Sequence, residues 1–221
     1  MLKDSEQEVK SNGIRNVVEI LPKLSPDLIQ NTFLSTLNLL VMDPAVHVKI
    51  ALASSITKVA PHVSSEQKLK KLLPLMQALL RDSVIEVKLE VIKNLGGFAK
   101  EIGPEATMKH IVPIILNTKN DTLWRCRLTV IEKMPEICES LGYEIFQEEL
   151  GNFAFETIND HYCLIREQTI ENVERFIEIF GYEKVKFKIE SMFDKLIENS
   201  NYLFRVTALL AIQKLHKSLD Q

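Results

Sequence analysis

The sequence predicts an all-α protein, an α-solenoid (superhelix) of antiparallel helix pairs with a 39-residue period. Three observations predict it. Asp or Asn stands at 4, 43, 82, 121, 160 and 199, so every interval is 39 residues with no insertion. Each interval carries two helix-start signals. Glycine and proline, the residues that punctuate strands and turns, number only 7 and 8 in 221 residues, about half their usual share. A unit of two helices cannot bury both of its apolar stripes alone, so successive units stack and the core runs along the array.

The turn comes first in each unit. The segments Asp4–Lys10, Asp43–Lys49, Asp82–Lys88, Asp121–Arg127, Asp160–Arg166 and Asn199–Arg205 align on their first residue, and each ends in a base. The Asp or Asn is expected to cap the helix that follows, its side-chain oxygen accepting an N–H that the first turn cannot satisfy. The A–B turns therefore fall at 4–9, 43–48, 82–87, 121–126, 160–165 and 199–204.

Helix B follows. Val48/Leu52/Ile56/Val59 and Ile165/Thr169/Val173/Phe176 recur at helical steps, the stripe of an amphipathic helix. Ser25, Ser64, Gly103, Gly142 and Gly181 then end helix B and open helix A, with Gly able to take the left-handed conformation of a C-cap. Pro26 and Pro104 stand at the first helical position, where a missing N–H costs nothing, and an acid follows each junction (Asp27, Glu66, Glu105, Glu144, Glu183) at the positive end of the helix dipole. Helix A shows its own stripe in Phe33/Leu37/Leu40, Leu72/Met76/Leu79 and Ile189/Phe193/Leu196. Pro74 and Pro113 within A helices and Pro135 within a B helix are expected to kink those helices. Residues 1–221 read as one array of about five and a half repeats. Both end units keep core columns (Val9, Ile14, Val17; Phe204, Leu209, Ile212), so a piece of a longer array is expected.

Composition excludes several classes. A net charge of −3 with 46% hydrophobic residues fits neither a disordered chain nor a nucleic-acid coat. Three cysteines without close spacing argue against a disulfide framework and for a reducing compartment, the cytoplasm or the nucleus. No apolar run is long enough to span a membrane. Phosphate-loop, dinucleotide, nucleophile-elbow and zinc-protease motifs are absent, and the five histidines share no repeat column. Cys126 and Cys138 fall in apolar columns. No enzyme, metal site, cofactor or small-molecule substrate is expected.

The ladder of Asp43, Lys49, Asp82, Lys88, Asp121, Arg127, Asp160, Arg166 and Arg205 is expected to be structural, each base reaching the acid of its own or the next turn. The lysine clusters Lys68/Lys70/Lys71 and Lys184/Lys186/Lys188 are expected to be solvated faces. The turns differ in what they present. The first three offer modest residues (Ser5/Glu6/Gln7, Pro44/Ala45/Val46, Ser83/Val84/Ile85), and the last three offer large ones: Leu123/Trp124/Arg125, His161/Tyr162/Cys163 and Asn201/Tyr202/Leu203. Trp, Tyr and Arg dominate binding hot spots. From the residues alone, Trp124 either anchors a partner or tucks onto its own helix pair.

A 39-residue two-helix unit with Asp at the turn and a base six residues later resembles the HEAT repeat. Asp121–Gly142 (DTLWRCRLTVIEKMPEICESLG), Ile158–Glu167, Ser200–Leu209 and Asp82–Leu95 further resemble the HEAT-repeat scaffolding (regulatory A) subunits of protein phosphatase 2A, from their middle to later repeats. That resemblance implies a non-catalytic scaffold that holds the phosphatase catalytic subunit on its ridge of turns, with a regulatory B-type subunit as a further partner. It favours partner anchoring for Leu123, Trp124, Arg125, His161, Tyr162, Tyr202 and Leu203. The alternative is a HEAT-repeat adaptor or transport factor that binds peptides in its concave groove.

Overall fold

The computed structural model describes residues 2–219, with side chains to 216. Those residues form helices and turns, with no strand among them. The chain forms two compact units, Met1–Ala106 and Thr107–Gln221. The first contains α1 (Gln7–Ile20), α2 (Leu34–Leu40), α3 (Val46–Val59), the single turn α4 (Ser65–Gln67), α5 (Leu73–Leu80), α6 (Ile85–Lys93) and α7 (Leu95–Ile102). The division falls within α8 (Pro104–His110). The second contains α9 (Val112–Asn117), α10 (Trp124–Leu141), α11 (Tyr143–Ile145), α12 (Gly151–Glu156), α13 (Cys163–Phe180), α14 (Tyr182–Ile197) and α15 (Tyr202–Leu219).

Within each unit the B helices stack in chain order: α3 lies against α1 on one side and against α6 and α7 on the other, and α13 lies between α10 and α15. The predicted columns form the core. Val48, Val87, Cys126 and Ile165, five residues after their anchors, are fully or almost fully buried, as are Ile56, Leu95, Met134 and Val173. The columns fail at the edges, where Val9, Leu209 and Ile212 are exposed. Cys138 is enclosed, and burial pushes its thiol up, the behaviour of a packing residue rather than a nucleophile.

The anchors do not cap the helices. Their oxygens accept the N–H of the residue two further on, at 2.8 to 3.0 Å in all six turns. In the first five turns that residue (Glu6, Ala45, Val84, Leu123, Tyr162), with extended backbone, is the N-cap. The anchor closes an Asx turn that sets the approach to helix B.

Gly103, Gly142 and Gly181 end their helices at φ of 82°, 85° and 87°, with ψ of 168° at Gly103 and 170° at Gly142. That region belongs almost only to glycine. A Cβ on Gly142 would meet nothing closer than 3.8 Å, so Gly142→Ala isolates the backbone cost. It should destabilise by about 1–3 kcal/mol, read as a lower urea midpoint with an unchanged slope.

The three prolines differ in outcome. A π-helical turn, Lys68–Leu72, precedes Pro74, and related π turns occupy Leu28–Phe33 and Phe146–Leu150 in other A helices. The A helix containing Pro113 breaks at Ile111, between α8 and α9. Pro135 lies inside α10, which runs unbroken for 18 residues. A proline there leaves the carbonyl four residues earlier, that of Ile131, without its intrahelical donor. Asn172 on α13 supplies one, its Nδ2 lying 2.6 Å from the Ile131 oxygen. In the first unit, helix B of the third repeat breaks at Asn94, whose carbonyl accepts Thr57 Oγ1–H from α3. Among the lysines expected to be solvated, Lys68 is drawn inward onto the Glu101 carboxylate at 2.8 Å and its backbone carbonyl, whereas Lys70 stays exposed and pairs with Glu66.

Candidate partner-binding ridge

The ladder has a direction. Three bases reach the carboxylate of the next turn, 33 residues on: Lys10 to Asp43, Lys49 to Asp82 (2.7 Å), and Arg127 to Asp160; Lys88 instead acts by its charge on Asp82, the acid of its own turn. Arg127 forks over both Asp160 oxygens at 2.8 and 3.0 Å, a bidentate pair with fixed geometry. Its Nη1 also donates to the carbonyl of its own anchor, Asp121. The turn's own carboxylate is therefore not the partner; its carbonyl is.

These contacts set the carboxylates' acidity. For Asp82 the Lys49 hydrogen bond dominates, opposed by burial, and the pKa falls below its usual value of 3.8. For Asp43 and Asp160 burial is the largest influence and raises the pKa, but the hydrogen bonds from Lys10 or Arg127 and from the backbone N–H of Ala45 or Tyr162, together with the nearby positive charges, outweigh it, and both fall. A carboxylate with a depressed folded pKa stabilises the fold fully above its unfolded value, and that contribution disappears as pH falls through the folded value. Thermal stability should therefore hold from pH 7 to about 5 and drop below about 4. Asp82→Asn should lower Tm at pH 7 and flatten that acid drop; an unchanged acid limb would show that this rung carries no linkage.

On the ridge above the second unit's ladder, Trp124 is half-buried at the start of α10 and Tyr162 lies just before α13. Their rings stack across consecutive turns, with centroids 5.4 Å apart and planes inclined by 16°. The Arg125 guanidinium lies 5.4 Å from the Trp124 centroid and that of Arg127 lies 5.6 Å from Tyr162. Each ring of the stacked pair thus has a guanidinium near it, Arg125 at Trp124 and Arg127 at Tyr162. Trp124 rests on the next turn, which neither expectation from sequence foresaw. Leu123, Tyr162, Tyr202 and Leu203 are 40–64% exposed, and His161 is exposed with its carbonyl accepting from Arg166. Tyr202 and Leu203 belong to the sixth turn and make no ring contact with the Trp124–Tyr162 pair.

Beside that pair lies an open cleft of about 410 Å³. Ile131 and Phe153 line its apolar part, and the Lys119–Glu156 pair (2.7 Å) and Arg127–Asp160 line its polar part. Phe153 and Glu156 stand in no column that periodicity singles out; they enter because the ends of two A helices converge on the turn. No group of three or more side chains suited to hold a metal occurs among the described residues, and no helix among them is long and apolar enough to cross a membrane.

Solved structures with this arrangement are helical-repeat proteins. A designed armadillo repeat protein aligns with TM-score 0.52 over 97% of this chain and 96% of its own, at 18% identity. The Crescerin TOG domain array, which regulates microtubules in the primary cilium, aligns with TM-score 0.57 over 92% of this chain and 84% of its own, at 15% identity. The chain is an armadillo/HEAT-type α-solenoid. A further designed armadillo solenoid, solved with the peptide (KR)4, aligns with TM-score 0.52 over 96% of this chain and 95% of its own, at 18% identity. The sequence matches no protein-family profile and no curated protein. For this solenoid the likeness establishes the fold.

Proposed function

We propose that this solenoid is a non-catalytic scaffold of a protein phosphatase 2A-type serine/threonine phosphatase. The 39-residue register runs on as one array, and the turns of its later repeats hold the catalytic subunit, with a regulatory B-type subunit as a further partner. Its mechanism is positional: holding catalytic and substrate-selecting subunits together raises their effective concentration. The cytoplasm and nucleus are the compartments this reading implies. The observation that carries it is the ridge of Arg125, Trp124, Tyr162 and Arg127. Rings that are already stacked lose little freedom on binding, and aromatic groups beside guanidinium groups offer apolar area with polar handles. The first unit's turns present no such group.

Co-purification of the chain with a type 2A catalytic subunit tests this. Trp124→Ala and Arg125→Glu should each weaken capture about 10-fold or more, the loss expected of a hot-spot residue, and Arg125→Glu should do so with little change in Tm because its side chain is exposed. Retained binding in both variants overturns the ridge assignment. A second reading, a peptide-binding adaptor, draws on the open space of about 550 Å³ along α1 and α3 between Arg15, Glu19, Ser54, Lys58 and His62. Substitutions there, rather than at Trp124, would then abolish capture.

A further inference from the structure

Asp43, Asp82 and Asp160 each have two separable tasks. The Oδ1 closes the Asx turn, which an amide oxygen does equally well, and the charge receives the base of the preceding repeat, which an amide cannot do. The sixth turn keeps the first task and lacks the second. Asn199 Oδ1 accepts the Asn201 N–H at 2.9 Å, but Asn199 offers no charge to the base 33 residues before it, Arg166.

Arg166 is only 6% exposed. Its Nη1 donates to the carbonyls of Asp160 and His161, its Nε to Thr207 Oγ1 at 3.2 Å, and its guanidinium lies 4.8 Å from the Phe204 ring. All of these partners are neutral. Among the described residues no carboxylate pairs with Arg166, and Nη2 donates to none of them. Arg205, on the same turn, likewise spends Nη1 on the carbonyls of Asn199 and Ser200 and pairs with no carboxylate among them. The neighbouring Glu198 is exposed and pairs with neither arginine. A guanidinium buried without a countercharge is costly, and an anion reaching it from outside would gain a strong, charge-assisted bond.

We infer that the sixth turn is an anion-recognition site in which Arg166, assisted by Arg205, takes a carboxylate from an Asp or Glu side chain of a protein partner. The partner's carboxylate supplies to Arg166 the countercharge that Asp160 supplies to Arg127, beside the Asn199 side chain rather than in its place. Exposed Tyr202 and Leu203 flank the site and give apolar contact to residues beside that acid. This deepens the ridge reading and rests on it only for the partner being a protein segment.

Fluorescence anisotropy with a labelled peptide alternating Glu and Leu, its Gln–Leu counterpart and its phosphoserine–Leu counterpart tests the inference. The Glu peptide should bind at least about 10-fold more tightly than the Gln peptide. Asn199→Asp supplies the countercharge internally and preserves the Asx turn, so it should abolish that preference while raising Tm by about 2–4 °C. Equal binding of the Glu and Gln peptides, no binding of either, binding of the phosphoserine peptide alone, or a preference that survives Asn199→Asp overturns the inference. Trp124→Ala should leave the preference intact, so failure here is distinguishable from failure of phosphatase capture.

Discussion

Phe146→Ala is expected to destabilise the second unit by about 3–5 kcal/mol, the range for removing a fully buried aromatic ring. Phe146 has no exposed surface. Its ring meets Phe180 at 4.7 Å, Phe176 at 4.9 Å and Tyr143 at 6.4 Å. This cluster closes the junction between α13 and the A helix that begins at Tyr143, so the cavity would open where two layers join and backbone collapse is most restricted. A domain's whole stability is about 5–15 kcal/mol, so one such cavity removes a large share of it. Chemical denaturation with far-UV circular dichroism reads the loss. A cost below about 1 kcal/mol would mean that the four rings repack freely and do not lock the repeat.

The second large effect belongs to Asn172. Asn172→Leu keeps the volume but strands the Ile131 carbonyl in the interior, at a cost of about 1–3 kcal/mol. Pro135→Ala restores an N–H within α10 that can reach the same carbonyl. In that background Asn172→Leu should cost clearly less, giving a coupling of about 1 kcal/mol or more in a double-mutant cycle. Additive effects would show that the Asn172–Ile131 bond does not answer the proline. The pair also explains how α10 accommodates Pro135 without breaking: the lost bond is replaced from the neighbouring repeat rather than by distorting the helix.

Much of the ridge was legible before any coordinates. The change from modest to large turn residues marked Leu123, Trp124, Tyr162, Tyr202 and Leu203; Leu123 and Tyr162 lie just before helix B, and Trp124, Tyr202 and Leu203 in its first turn. What Trp124 touches was not legible, because its partner Tyr162 is 38 residues away and stacking depends on the rise between consecutive turns. Arg127 and Asp160 were expected only as a structural rung. Their position beneath Tyr162 makes them part of the ridge as well. The charge that turn six lacks stands in the sequence as Asn199 in an Asp column, yet its consequence needs the direction of the ladder, which alignment leaves open between own turn and next turn.

The sequence by itself determined the repeat: its length, its helical class, the glycine that ends helix B at 103, 142 and 181, and the apolar columns that meet in the core. These are local properties, set by propensity, periodicity and backbone freedom within one unit. Only the tertiary structure decided which oxygen of each turn meets which base, that Asn172 answers Pro135, and that Arg166 is buried without a countercharge. Those contacts join residues 33 to 41 positions apart. Their geometry follows from how one helix pair rotates onto the next, and no single repeat's sequence encodes that rotation.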